Sequence, residues 1–120
     1  MCVRDATPRD GSPPDWNSRP LLELTKFQRD LLFVVVSLEG TEPSGVRIKA
    51  ELREAYGDEI NTGRFYRNLH DLIEKNFVEA SSVGGRENTY QIRSSARTQL
   101  QAHVAWEKRC LLRQNGGEEQ

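Results

Sequence analysis

The sequence predicts a mainly α fold carrying one small β-hairpin, an α+β domain. Three observations predict it. Apolar residues recur at helical spacing in four segments, each opening at a Thr, Ser or Asn suited to capping. Between the third and fourth segments, alternating apolar positions flank Gly84-Gly85, the pattern of a tight hairpin. The connections between the first three helices are short, so these helices must pack as neighbours. Helix, helix, helix, strand, turn, strand, helix is the order of a winged helix-turn-helix, here followed by a C-terminal dimerisation helix.

Each element has its own justification. Residues 1–20 hold four of the five prolines and balance three Arg against three Asp, so a disordered N-terminal tail is expected. The winged domain is expected over 21–93. Thr25 caps the first helix, where Phe27, Leu31, Leu32, Val34, Val35 and Leu38 precede a stop at Gly40. Ser44 caps a second helix from about Gly45 to Tyr56, with Val46, Ile48, Leu52 and Tyr56 offered to the core and Gly57 as terminator. Asn61 caps a third helix over Thr62 to Lys75, whose Phe65, Leu69, Leu72 and Ile73 form a single stripe. Asn76 stands where a left-handed residue is wanted. Residues 77–82 and 89–93 make the hairpin around the 83–88 turn. Ser94 or Ser95 starts the last helix, 94–113, and 114–120 is expected to be a flexible tail.

Composition bounds the function. The chain has 120 residues and 13.7 kDa, with 29% charged residues, 36% hydrophobic ones and a mean hydropathy of -0.71. The longest apolar run, Leu31 to Val36, is six residues against the ~20 a bilayer requires, so no membrane span is expected. No secretory leader pattern stands at the N-terminus, and a cytoplasmic protein is expected. Cys2 and Cys110 lie at opposite ends, which suits no disulfide framework. His70, His103 and Cys110 lack metal-ligand spacing, so neither a metal nor a cofactor is expected. No acid, base and nucleophile converge in sequence, and an enzyme is not expected. A net charge of -1 argues weakly against nucleic acid, but the distribution of charge says more than the sum.

From Thr62 to His70 the third helix contains no acid. Arg64, Tyr66, Arg67, Asn68 and His70 are expected to point away from the Phe65–Leu69–Ile73 stripe. Arg can fork onto guanine, Asn onto adenine, and Tyr can reach a phosphate or a thymine methyl. Thr62 and Gly63 open the helix, and a bare Gly63 lets backbone approach a phosphate at a helix N-terminus. Lys49 is a candidate backbone contact, and Arg86 at the hairpin tip suits a minor groove or its phosphates. The plainer reading of this face is a solvated surface on an amphipathic helix, and of the tip a polar turn. Placed third, directly before a hairpin, the helix favours double-stranded DNA. On the last helix Leu100, Val104 and Leu111 keep a seam that Trp106 widens, with His103 and Cys110 beside it. So small a core does not need this helix, and a homodimer through it is expected.

Gly63-Arg64-Phe65-Tyr66-Arg67-Asn68-Leu69-His70-Asp71-Leu72, followed by Lys75-Asn76-Phe77-Val78-Glu79, resembles the recognition-helix motif of PadR-like transcriptional regulators. That motif runs G-[TR]-[LF]-Y-P-x-L-x-x-L, then Gly and two apolar residues. Gly45 to Leu52 is similar to the family's G-x-x-I-x-x-x-L, and Arg86 to Ile92 to its R-x-x-Y-x-L return strand. The resemblance covers about residues 24–107 and is strongest to the PadR-like proteins of halophilic archaea and their viruses. It implies a homodimeric DNA-binding repressor whose C-terminal helix dimerises against the partner. The residues themselves lead us to expect the third helix in the major groove of an inverted repeat and the wing on the adjacent minor groove or backbone. Arg67 replaces the motif's Pro, Asn76 its Gly, and Arg93 and Ala96 the Thr and Gly that lead into its last helix.

Two other readings remain at this point. One is a protein-interaction module on the same scaffold, and the other a ligand- or redox-sensing switch using Trp106 or Cys110. The sequence names no small-molecule effector.

Overall fold

A computed structural model describes residues 20–82 and 88–119, with side chains described except at 20, 22 and 114–119. The expected tail lies outside the described residues up to residue 19. Pro20 already opens a 3₁₀ turn, Pro20–Glu23, which the sequence pattern did not indicate. The chain divides into two compact units, residues 24–97 and the described parts of 1–23 with 98–120.

The first unit contains α1 (Lys26–Ser37), α2 (Gly45–Tyr56), α3 (Thr62–Glu74), β1 (Val78–Ser81), β2 (Thr89–Ile92) and the start of α4 (Ser94–Glu119). This is the mainly α winged helix-turn-helix that the element order predicts. The three expected caps form. Gln28 N donates to Thr25 Oγ1 at 3.1 Å, and Thr25 N donates back to Gln28 Oε1 at 3.2 Å, a complete capping box. Arg47 N donates to Ser44 Oγ at 3.2 Å, and Arg64 N to Asn61 Oδ1 at 2.8 Å. Gly57 and Asn76 close α2 and α3 in the left-handed region, with φ of 70° and 68°.

The core is built on the expected stripes. Leu31, Leu32 and Val35 of α1, Ile48 and Leu52 of α2, and Phe65, Leu69 and Leu72 of α3 are all buried. Phe77, Val78, Tyr90 and Ile92 bring in the hairpin. Two expected core residues of α2 are corrected. Val46 is 67% exposed and Tyr56 39% exposed. At about 100° per residue, Val46 stands nearly opposite Ile48 on the helix. Tyr56 keeps its ring edge-on to Phe27, with centroids 6.0 Å apart, while its hydroxyl donates to Asp30 Oδ2 at 2.7 Å. α1 ends at Ser37 and not at Gly40, because the bonding turns to i−3 beyond it, Glu39 N donating to Val36 O and Thr41 N to Leu38 O, each at 3.0 Å. Gly40, at φ 90°, makes the turn that follows.

β1 and β2 pair antiparallel, Val78 opposite Ile92 and Ser81 opposite Thr89. Ser44 adds a bridge to Thr89, and Tyr90 N donates to Pro43 O at 3.0 Å. The segment leading into α2 thus braces the base of the wing. Arg97, in the first turns of α4, pairs with Glu39.

The second unit is the 3₁₀ turn and residues 98–119 of α4. Leu21, Leu100 and His103 are buried, Val104 and Trp106 half-buried, and Cys110 exposed. Leu111 and Leu112 are 65% and 64% exposed. α4 continues to Glu119, past the Arg113 end expected from Asn115-Gly116-Gly117. Each Gly costs about 1 kcal/mol in a helix but does not forbid one. No helix among the described residues is long and apolar enough to cross a membrane.

Candidate nucleic-acid interface

α3 is seated by Phe65, Leu69 and Leu72, which leaves the opposite face of the helix outward. At about 100° per residue, Gly63, Arg67 and His70 fall within some 40° of the direction opposite Phe65. All three are exposed, as are Thr62 and Arg64. The acid-free stretch therefore does present cations outward, with Arg67 at the centre of the strip. Glu74 follows on the same line, one turn beyond His70.

Arg64 sits on the flank towards α1. Its guanidinium carbon lies 4.0 Å from the centre of the Phe27 ring, a cation–π stack that fixes the arginine at the N-terminal end of α3. Beside it, Lys26 Nζ donates to Asp30 Oδ2 at 2.9 Å. Burial pushes the Asp30 carboxyl up, but the bonds from Lys26 and Tyr56 outweigh it and hold the group below its ordinary value. Burial, then the Asp30 carboxylate, pushes the Tyr56 hydroxyl up to about 12.

Two expected readers do not point outward. Tyr66 is half-buried and lies over Gly45, where an added Cβ would stand 2.6 Å from its Oη and 2.7 Å from its Cε1. Gly45 is thus a packing requirement between α2 and α3. Gly45→Ala is expected to destabilise by about 1–3 kcal/mol through overpacking, in spite of alanine's helix propensity. Thermal melts of Gly45→Ala, Tyr66→Ala and the double variant check this, since relief of the clash makes the two changes strongly non-additive. Additive costs would remove the close packing.

Asn68 is the second correction. Lying about 60° from Phe65 around the helix, it faces α1 and is half-buried. Its Oδ1 accepts from Gln28 Nε2 at 3.0 Å, and its Nδ2 donates to Arg64 O at 2.8 Å. Gln28 also donates to Asp71 Oδ2 at 2.8 Å, and Lys75 Nζ donates to the same oxygen at 3.0 Å. The Lys75 bond first, and the Gln28 bond second, hold the Asp71 carboxyl below its ordinary value. Sequence reasoning missed Gln28, although an S/T-x-x-Q capping box ahead of an apolar run marks a glutamine fixed at a helix start.

Lys49 is half-buried on α2, and Arg86 lies outside the described residues. Among the described residues, no three His, Cys, Asp or Glu side chains come together to hold a metal ion.

No protein-family model and no curated protein matches the chain. Solved structures do. RosR of H. salinarum is 38% identical, with a TM-score of 0.62 over 71% of this chain and 74% of that one. The same protein in its S1 complex gives a TM-score of 0.63 at 38% identity, over 72% and 74% of the two chains. Lactococcus lactis ZitR, a zinc-responsive MarR family member, is 20% identical with a TM-score of 0.54, over 81% of this chain and 63% of that one. That last likeness shows a shared fold alone. These matches correct the PadR-like resemblance. Several of the positions that carried it serve packing, since Phe65, Leu69 and Leu72 are buried and Gly45 lies against Tyr66, whereas Arg67 stands in place of the motif's Pro. The chain belongs to the family of H. salinarum RosR.

Proposed function

We propose that the protein is a homodimeric transcriptional regulator that binds double-stranded DNA and acts as a repressor. α3 enters the major groove of each half of an inverted repeat, and the 83–88 wing with Arg86 lies on the adjacent minor groove or backbone. The observation that carries this reading is the exposed strip of Gly63, Arg67 and His70, flanked by Thr62 and the stacked Arg64, on the helix before a hairpin. A helix presented in this way fits a groove about 12 Å wide, and Arg67 has the bidentate geometry that reads guanine. Lys49 supplies a phosphate contact. A dimer seated on two half-sites about 34–36 Å apart excludes other proteins from the same grooves, and repression follows from occupancy.

Fluorescence anisotropy with duplex DNA across a salt series tests the reading. Binding should weaken log-linearly with salt, with a slope of about -0.9 per phosphate contacted. Arg64→Ala/Arg67→Ala should lose no more than the roughly 0.5–1 kcal/mol of the Arg64–Phe27 stack, remain folded, and bind with a shallower slope. If Arg67 reads a base, its removal should cost roughly 1–3 kcal/mol at one base pair. A normally folded double variant that binds duplex as well as the wild type, at low and high salt, would overturn the DNA-binding reading in favour of a protein-interaction module.

A further inference from the structure

Gln28 is a polar side chain left only 6% exposed, and it has no part in the outward face of α3. Its amide is committed at both ends. The carbonyl oxygen accepts from the backbone N–H that opens its own helix, Thr25 N, at 3.2 Å. The amide nitrogen donates to Asn68 Oδ1 at 3.0 Å and Asp71 Oδ2 at 2.8 Å, which lie one turn apart on α3. Asn68 is then locked on its other side, because its Nδ2 donates to Arg64 O at 2.8 Å. A buried amide with partners for its oxygen and both its hydrogens is costly to disturb, since any loss leaves a polar group stranded.

The lock has a consequence for base recognition. An asparagine on a groove-facing helix is an adenine reader when its amide is free to turn outward. Here both its oxygen and its nitrogen are held, and the Asp71 carboxylate, which would repel phosphate, is held with it. We propose that Gln28 is a positioning residue for DNA reading: from behind α3 it withholds Asn68 and Asp71 from the groove, so that Arg67 and His70 define the base pairs read. The proposal rests on the DNA-binding reading above and adds to it a determinant that touches no DNA.

The network also has a polarity, one amide donor facing two acceptors, and that polarity makes it testable. Gln28→Glu sets a carboxylate against the Asp71 carboxylate and breaks the lock. Adding Asp71→Asn removes that repulsion and restores one donor–acceptor pair, in the reversed sense, between positions 28 and 71. Gln28→Met keeps the length, removes the hydrogen bonds without adding charge, and releases Asn68.

The experiment selects sites from a randomised 30-bp duplex pool with the full chain and each variant, then measures affinity for the wild-type site by anisotropy. Gln28→Glu and Gln28→Met should select altered sites and bind the wild-type site about 10-fold more weakly, the order of one base contact. Their binding to the unselected pool at low salt should change far less, because the phosphate grip remains. Gln28→Glu/Asp71→Asn should return to within about 3-fold of wild type, which a general loss of stability would not do. Wild-type site preference in folded Gln28→Met, or a double variant no better than Gln28→Glu, overturns the proposal. A wild-type chain that binds no duplex overturns this proposal together with the function beneath it. Wild-type binding with indifferent Gln28 variants overturns this one alone.

Discussion

Phe65→Ala is expected to lower the stability of the domain by about 3–5 kcal/mol, the usual cost of emptying a buried phenylalanine site. Phe65 is fully buried, and with Leu69 and Leu72 it is the means by which α3 is held. Its ring also meets Tyr66 edge-on, with centroids 4.9 Å apart, so truncation loosens the packing over Gly45 as well. A domain of this size has about 5–15 kcal/mol in total. At roughly 4–8 °C per kcal/mol, the melting temperature should fall by well over 10 °C. The next outward residue two positions on, Arg67, should behave oppositely. Arg67→Ala should change stability by no more than about 0.5 kcal/mol, as exposed positions generally do. Melting curves of the two variants separate the structural face of α3 from its presenting face. A Phe65→Ala variant that melts like the wild type would contradict the seating of α3 by this ring.

Local rules made most of this fold legible. Thr25, Ser44 and Asn61 each cap the helix expected of them, and Asn76 takes the left-handed conformation its position demands. A cap depends only on a side chain and its neighbouring amides, so no tertiary information is needed. The α3 stripe was legible for a similar reason, since one helical period selects Phe65, Leu69 and Leu72. What escaped the sequence depends on partners distant in the chain. Val46 looked like core by type although the helical wheel sets it nearly opposite Ile48, and Tyr56, at the end of α2, is held half out by its bond to Asp30 of α1. The Ser44–Thr89 bridge joins residues 45 positions apart and has no local signature. Asn68 is the instructive case, because its position on the helical wheel, about 60° from Phe65, already argued against an outward amide. Its residue type had suggested a base reader, and its angle to the stripe says otherwise. The PadR-like resemblance failed in the same manner. Several of its shared positions, Gly45, Phe65, Leu69 and Leu72, report how α3 packs and say little about what it contacts.

Leu111→Glu/Leu112→Glu should convert a dimer into a monomer and reduce affinity for an inverted repeat by about 10²–10⁴-fold. Both leucines are about two-thirds exposed on α4, beyond half-buried Val104 and Trp106. Two adjacent leucines left in water forgo roughly 1.5–3 kcal/mol each, which a second copy of the helix would recover. Glutamate keeps the helix propensity high, so the change falls on association and not on α4 itself. The loss at DNA follows from linkage. Once one half-site is held, a dimer presents the second α3 at a high effective concentration, and a monomer must pay that entropy afresh. Two measurements separate the steps. Sedimentation should show wild-type dimer and variant monomer at micromolar concentration, and the wild-type melting temperature alone should rise with protein concentration. Affinity for a single half-site should be nearly the same in both proteins. A wild-type chain that sediments as a folded monomer, or a variant that remains dimeric, would exclude Leu111 and its neighbours along α4 as the seam. A dimeric wild type that binds an inverted repeat no better than the monomeric variant would separate dimerisation from DNA reading altogether.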